Sequence, residues 1–236
     1  MTATPCAYSS SPMTSGAGLP EPVRRYLSHA VASGEAGVPG VRLTMSGRIK
    51  VGIWLPFIAT QRCDGRSFCW RASVGLGPLR PLEVTDRYEN GEGSVRGKLL
   101  SRWKLFEQTD ANVVRSAAAR AALEAMFAPR ALLPGRGYAW RAEGDEHIVA
   151  STENPPEHVE VHLRIAPDGR LRNVVAQRWG EVTRGTFGYL PFGADMHEER
   201  RFGDLVIPSR VTAGWHYGTE RYSPFFKATI TTAIPA

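Results

Sequence analysis

Three ionisable residues of this chain, Asp86, Glu198 and Arg200, occupy positions where the alternation of two hairpins places apolar side chains. In the hairpin that turns at residues 90–91, Asp86 shares a face with leucine, valine and tyrosine. In the hairpin that turns at residues 203–204, Glu198 and Arg200 interrupt a face of alanine, methionine and phenylalanine. A lone buried charge is very costly, so such groups must be paired, hydrogen-bonded or neutralised.

Two interpretations of these charges stay open at this point. In the first, the two carboxylates and the guanidinium form a structural ion-pair network, or reach water from the ends of their strands. In the second, they line a cavity, where they orient a polar head group or act as acid and base on a bound ligand. A perturbed carboxylate in an apolar pocket marks a candidate site, so Asp86, Glu198 and Arg200 are the catalytic candidates if the protein is an enzyme.

Aromatic side chains supply the candidate ligand contacts. The sequence holds six tryptophans, and an aromatic-Leu-Pro-Phe tetrapeptide occurs twice, at residues 54–57 and 189–192. Both copies come just before apparent strands, where a proline without an N–H is tolerated, so we interpret them as structural corners that border a cavity. We predict that the ligand-binding residues are Phe57, Trp70, Tyr88, Trp140, Gln177 and Trp215.

Metal and cofactor chemistry find little support in the sequence. His158 and His162 are four residues apart, but on a strand that spacing separates them by roughly 13 Å, so we predict no metal site. The chain has neither a nucleophile motif nor a glycine-rich nucleotide motif, and we expect no cofactor. Cys63 and Cys69 flank a predicted two-residue turn at residues 64–65 and should point to opposite faces as free thiols.

The composition is that of an ordinary globular chain of 236 residues, 42% hydrophobic and 22% charged. The net charge of +6 includes no block of like charges, so nucleic acid is not an expected partner. No apolar stretch reaches the 18 residues that a membrane span requires, and the N-terminus does not resemble a secretory signal. We therefore expect a cytoplasmic protein without an integral membrane segment, and the oligomeric state stays open.

The elements that position these residues are mostly strands. Alternation predicts about ten or eleven antiparallel strands, a leading amphipathic helix and an alanine-rich inserted helix in which Arg120 and Glu124 are spaced to pair. A sheet this long curls rather than staying flat. We predict a mainly β (α+β) fold, a curved antiparallel half-barrel wrapped around one or two helices. Residues 1–18 are predicted to be a disordered tail, and 19–236 a single domain.

A set of segments is shared with a known family. The segments include "LPEPVRRYL", "DRYENGEGSVRGKLL", "RSAAARAALEAMFAPRALLPG" and "YLPFGADMHEERRFGDLVIPSRVTAGWHYGTERY", of which the last is the most specific. In this order, over residues 19–232, they resemble an uncharacterised bacterial family with a lipoprotein-carrier-like (Lol-type) fold. The resemblance implies a hydrophobic cavity between a curved sheet and helices, and relatives of that fold bind acyl chains or other apolar ligands.

The leading functional hypothesis is the binding of a hydrophobic small molecule or acyl chain in that cavity. The expected partner is thus an apolar, lipid-like ligand. The alternative is a cofactor-free catalyst of the cyclase or isomerase type, in which Asp86, Glu198 and Arg200 transfer protons on a hydrophobic substrate in the same cavity.

Overall fold

The structure is a computed structural model that describes residues 18–32, 37–76 and 80–236. The prediction of a disordered tail over residues 1–18 lies outside the described residues, apart from residue 18 itself. Helix α1 spans Glu21–Ala30 and helix α2 spans Ala111–Leu123. Two short 3-10 helices, Glu124–Phe127 and Pro129–Leu132, continue the chain from α2 into the interior. No helix of the described ranges is long and apolar enough to cross a membrane.

Thirteen strands make up the rest of the described fold. They are β1 Val41–Val51, β2 Ile53–Cys63, β3 Phe68–Val74, β4 Leu82–Glu89, β5 Glu92–Leu99, β6 Trp103–Gln108, β7 Ala139–Ala142, β8 His147–Asn154, β9 Glu157–Ile165, β10 Leu171–Thr183, β11 Thr186–Phe202, β12 Leu205–Trp215 and β13 Ser223–Pro235.

All thirteen strands belong to one antiparallel sheet in the order β6-β5-β4-β3-β2-β1-β13-β12-β11-β10-β9-β8-β7. Neighbours in the sheet are also neighbours in sequence, except that the last strand pairs with the first. The sheet curls around the helices, and its inner face carries the core. The predicted class, a curved antiparallel half-barrel around one or two helices, is confirmed, with more strands than the ten or eleven expected.

The helices close one end of the half-barrel. Helix α1 packs against β7, β8 and β12, and the second 3-10 helix lies against the β2–β3 hairpin, where Tyr138 Oη donates to the Gly65 carbonyl oxygen (2.6 Å). We call this the closed end. At the opposite end, β1 and β2 join at residues 51–53, β5 and β6 at 100–102, and β12 and β13 at 216–222. These hairpins and the neighbouring ends of β3 (Val74) and β4 (Leu82) surround what we call the open end. Helix α2 crosses the trough between β4–β5 and β8–β10.

Local sequence signals explain where several of these elements begin. Asp110 Oδ1 accepts from the backbone N–H of Asn112 (2.8 Å) and caps α2, whose alanine face is buried. Asn90 and Gly91 both have positive φ, 51° and 79°, as a type I′ hairpin requires. The strands on either side therefore take the predicted register, in which Asp86 lies opposite Val95.

Two predicted turns differ from the structure. The β2–β3 connection is a four-residue loop in which Asp64 Oδ1 accepts from the N–H groups of Arg66 (3.0 Å) and Ser67 (2.7 Å), so the predicted two-residue turn is wrong. In the β9–β10 hairpin a bulge follows Leu171 and shifts every later pair by one residue. Because of that shift, Gln177 is exposed and Arg178 points inward.

The β11–β12 hairpin also departs from its predicted register. An extra residue on β11, His197, and one on β12, Ser209, put Glu198 opposite Arg210 instead of opposite Ser209 as predicted. Arg200 lies opposite Ile207 as predicted, but β11 runs past its last pair with β10 here and the side chain is exposed. The prediction that Glu198 and Arg200 face the interior is wrong.

Candidate functional site

A cluster of charged side chains lies between α2 and the inner face of the sheet. Arg120 of α2 is its centre: Nη1 bonds Asp86 Oδ2 (2.5 Å) and Nε bonds Glu124 Oε1 (2.7 Å). Gln61 of β2 donates from Nε2 to the other oxygen of Glu124 (2.9 Å). The Arg120 guanidinium also stacks over the ring of Phe68, 4.4 Å from its centroid. We call this group the Arg120 cluster.

Burial sets the electrostatics of the Arg120 cluster. Burial raises the pKa of the Glu124 carboxyl above its ordinary value, against the opposing charge of Arg120. Burial alone would lower the pKa of the Arg120 guanidinium, but the charges and hydrogen bonds of Glu124 and Asp86 outweigh it and hold that pKa above its usual range. Arg120 is therefore a permanent cation whose charge balances the carboxylates beside it.

A second inward guanidinium, that of Arg178 on β10, was missed by the sequence analysis. Its Nε donates to the carbonyl oxygen (3.0 Å) and Oγ (3.1 Å) of Ser116 on α2. Its Cζ lies 4.7 Å from the ring centroid of Phe192 and 5.0 Å from that of Trp215. Burial, followed by the repulsion of Arg120, lowers the pKa of Arg178 to about 10, so it stays charged at neutral pH. In the described part of the chain its two Nη groups have no hydrogen-bond acceptor and no carboxylate within ion-pair distance.

Aromatic side chains fill the space beside these two arginines. Phe57 meets Trp70 edge-on with ring centroids 5.7 Å apart and stacks on Phe226 at 5.2 Å. Trp215 meets Phe192 edge-on at 5.0 Å. Toward the open end the inner face is only half-buried, so apolar surface there stays accessible. The half-buried apolar residues of this region are Leu55, Leu82, Val84, Trp215, Phe225 and Phe226.

The hairpins around the open end add exposed apolar side chains of their own. These side chains are between 55% and 68% exposed, although a large apolar residue is usually buried. A group of such residues at one end of a domain is typical of a surface that meets apolar molecules. They are Val51, Ile53, Leu76, Leu100 and Trp103.

The structure separates the predicted catalytic residues. Asp86 lies inside, where Oδ1 is buried without a hydrogen-bond partner among the described residues. Glu198 instead forms an exposed ion pair with Arg210 (2.6 Å), and Arg200 is exposed. Asp86, Glu198 and Arg200 therefore do not form one site.

The predicted ligand-binding residues are divided in the same way. Phe57, Trp70 and Trp215 lie in the region beside the two arginines. Tyr88 is buried on β4 and donates to the Pro155 carbonyl oxygen (2.5 Å). Trp140 packs at the closed end, and the bulge in β10 turns Gln177 to the outer face.

The two aromatic-Leu-Pro-Phe segments lie within β2 and β11, rather than before strands as predicted. Each proline stands one residue beyond the last pair with a neighbouring strand, where its missing N–H is not needed. In both segments the phenylalanine that follows, Phe57 or Phe192, is buried beside the two arginines.

A separate cavity of about 940 Å³ lies on the outer face of β1–β5. Six basic and three acidic residues are among those that line it. Arg42 lies directly opposite Arg62, and Cys69 lies between Arg62 and Arg87 in the same row across the strands. The sequence analysis did not predict this cavity, because alternation alone does not show that neighbouring strands form a concave polar surface.

The two described cysteines should differ sharply in reactivity. Both are free thiols on opposite faces of the sheet, as predicted. Burial raises the pKa of the Cys63 thiol, whereas Cys69 is half-buried in the outer cavity. In a Cys6→Ser variant we expect a thiol reagent to modify Cys69 in the native protein and Cys63 only after denaturation, because the thiolate is the reactive species. Equal native rates for the two thiols would contradict this placement of Cys63.

The architecture defines a wrapped-sheet protein with a helix across its trough, and the sequence then assigns the family. The chain belongs to the family of unknown function DUF6544, whose sequence model matches residues 11–228. The predicted membership of an uncharacterised family with this type of fold is confirmed. No protein with a curated description matches the chain.

Solved structures with a similar fold have little sequence in common with this chain. One is described as an outer membrane lipoprotein-sorting protein domain from Vibrio parahaemolyticus, with 10% identity, 90% of this chain and 91% of that one covered, and a TM-score of 0.48. Another is a LolA superfamily protein from Nitrosomonas europaea, with 7% identity, 90% of each chain covered and a TM-score of 0.46. A third is a DUF1329 family protein from Desulfovibrio piger, with 8% identity, 91% and 93% coverage and a TM-score of 0.47. At these identities the similarity concerns the fold alone.

Proposed function

We propose that the protein binds a hydrophobic molecule with an acidic head group, such as a fatty acid, at the open end of the half-barrel. The proposal rests on the environment of Arg178. Its guanidinium points from the inner face of the sheet, lies over the adjacent rings of Phe192 and Trp215 and has no carboxylate within ion-pair distance among the described residues.

The position of Arg178 suits recognition of a carboxylate. Its Nε is fixed by Ser116, so the plane of the guanidinium is held and the two Nη groups remain for a ligand. An arginine fork binds a carboxylate through two parallel hydrogen bonds. The charges of Asp86 and Glu124 support this inward cation only from beyond ion-pair distance, and a bound anion would lower the remaining cost of its burial.

The surroundings of Arg178 suit an apolar tail. Half-buried Leu82, Val84 and Phe226 line the trough toward the open end, and exposed apolar side chains of the hairpins continue beyond it. Burial of each methylene group of an acyl chain contributes about 0.8 kcal/mol. An amphiphile therefore matches both halves of the site, the charge by its head group and the trough by its chain.

Binding of matched amphiphiles to an Arg178→Gln variant tests the proposal. We expect the wild-type protein to bind dodecanoic acid at least tenfold more tightly than dodecanol. The substitution should weaken binding of the acid by roughly tenfold to a hundredfold, the range for hydrogen bonds to a charged group, and leave the alcohol unchanged. Isothermal titration calorimetry gives both affinities.

The neighbouring Gln177→Ala substitution is the matched control, because Gln177 is exposed on the opposite face of the same strand. It should leave both affinities unchanged. No carboxylate forms an ion pair with Arg178, and Asp86 and Glu124 keep Arg120 as their partner, so the variant should stay folded, as far-ultraviolet circular dichroism would show. If neither amphiphile binds to wild-type protein, the proposed function is wrong. If the acid and the alcohol bind equally and Arg178→Gln changes neither, the role of the head group is wrong.

A further inference from the structure

We propose that Glu143, His147 and His162 form a binding site for a divalent transition-metal ion, with Zn²⁺ as the reference ion. Within the described residues these are the three metal-ligating side chains whose donor atoms all lie within 4.8 Å of one another. The site lies on the β7–β8–β9 side of the sheet and is separate from the proposed amphiphile site. Neither proposal depends on the other.

Cross-strand pairing brings the two histidines together. His147 begins β8 opposite Arg164 of β9, and His162 lies opposite Val149, so the two histidines are diagonal neighbours on one face. Their ring centroids are 5.3 Å apart, and His162 Nδ1 lies 3.2 Å from His147 Nε2. The sequence analysis compared His162 with His158 along one strand and therefore missed its neighbour across the sheet.

Glu143 supplies the third ligand from the turn that joins β7 to β8. Its Oε2 lies 3.2 Å from His147 Nδ1 and 3.9 Å from His162 Nδ1. Its other oxygen, Oε1, accepts from Arg141 Nε (3.2 Å) and Nη2 (3.0 Å). Arg141 thus fixes the carboxylate with one oxygen toward the imidazoles, in the way that outer-shell partners orient metal ligands. Arg141 is itself paired with Glu160 (2.5 Å), which balances its charge.

The donor set defines the class of ion. Two imidazoles and one carboxylate suit Zn²⁺, Co²⁺, Ni²⁺ or Cu²⁺, whereas Ca²⁺ and Mg²⁺ prefer oxygen ligands. Bonds of about 2.0–2.2 Å place neighbouring ligand atoms roughly 3–3.5 Å apart. The present donors lie within 4.8 Å of one another, so they need to close by roughly 1–2 Å. The side chains of Glu143, His147 and His162 are 27%, 33% and 35% exposed, so they can rotate, and water can complete the coordination. Arg164, opposite His147, and Arg141 are nearby positive charges that oppose a cation.

Titration of untagged, chelator-treated protein with Co²⁺ and Zn²⁺ tests this site. We expect one equivalent of Co²⁺ to bind with visible absorption bands that Zn²⁺ displaces. His147→Gln and His162→Gln should each weaken Zn²⁺ binding at least a hundredfold, and Arg141→Gln about tenfold because it only positions a ligand. Zn²⁺ should raise the melting temperature of the wild-type protein and not that of the His162→Gln variant.

His158→Gln is the matched control. His158 lies on the same face of β9 as His162. Its partner, however, is Glu153 (2.6 Å), and it is not one of the three proposed metal ligands. Its substitution should leave Zn²⁺ affinity unchanged. The proposal is overturned if wild-type protein binds no Zn²⁺ at millimolar concentration, if a His147→Gln/His162→Gln variant binds as tightly as wild type, or if His158→Gln weakens binding as much as His162→Gln.

Discussion

Replacement of Arg120 by methionine should lower the free energy of unfolding by about 3–5 kcal/mol, the cost of breaking a buried ion pair by removing one partner. Arg120 is the common partner of Asp86 and Glu124, and both carboxylates lie largely out of solvent. Methionine keeps much of the volume of the aliphatic stem, so the loss of charge and hydrogen bonds dominates the effect. Equilibrium denaturation in urea, followed by fluorescence and circular dichroism, measures it.

An exposed ion pair supplies the matched control for this substitution. Arg96 bonds Glu107 (2.5 Å), and their side chains are 51% and 30% exposed. Solvent screens such a pair, so Arg96→Met should cost far less stability than Arg120→Met. If Arg120→Met costs as little as Arg96→Met, the Arg120 cluster does not stabilise the fold.

A compensating variant distinguishes two effects of Arg120→Met: carboxylates left without a counter-charge, and lost packing. In the Arg120→Met background, Asp86→Asn and Glu124→Gln remove the two charges that arginine had balanced. We expect this triple variant to regain more than half of the lost stability. Recovery would assign Asp86 to a structural network, the first of the two interpretations that its sequence position allowed. Failure to recover would mean that the packing of Arg120 over Phe68, not its charge, stabilises the region.

The features that the sequence predicted best are those that depend on a few neighbouring residues. Asn90 and Gly91 both have the positive φ angles of a type I′ turn. This two-residue turn sets the register of β4 and β5 that places Asp86 inward. Asp110 caps α2 through its own side chain. The alternation of β2 and β3 correctly placed Phe57 and Trp70 in the interior, even though the turn between the strands was mispredicted.

The features that failed depend on pairing between strands. One extra residue after Leu171 reverses the faces of Gln177 and Arg178, and no residue type at that point indicates a bulge. The same cause turned Glu198 outward to Arg210. The diagonal approach of His147 to His162 likewise depends on the register of β8 and β9. Sequence periodicity thus predicted the sheet, whereas the residues that compose each candidate site depended on shifts of one residue.

Trp140 shows how burial and ligand contact can be told apart. The sequence analysis predicted it as a ligand-binding residue, but it packs at the closed end, with its ring centroid 6.2 Å from that of Tyr26 and its N–H bonded to the Leu132 carbonyl oxygen (3.0 Å). It is 1% exposed. We expect Trp140→Ala to lower the free energy of unfolding by about 3–5 kcal/mol, because a large cavity replaces a packed indole. Urea denaturation measures this loss.

The milder Trp140→Phe substitution tests the ligand role without unfolding the protein. Phenylalanine keeps most of the apolar volume, so the affinity for dodecanoic acid should stay within about twofold of wild type. Trp215→Phe is the matched comparison, because Trp215 lies beneath the Arg178 guanidinium. Weaker stacking and packing there should reduce affinity by several fold, since a cation–π contact contributes about 0.5–2 kcal/mol. If Trp140→Phe weakened binding and Trp215→Phe did not, the acyl chain would lie at the closed end, and Arg178 would not hold its head group.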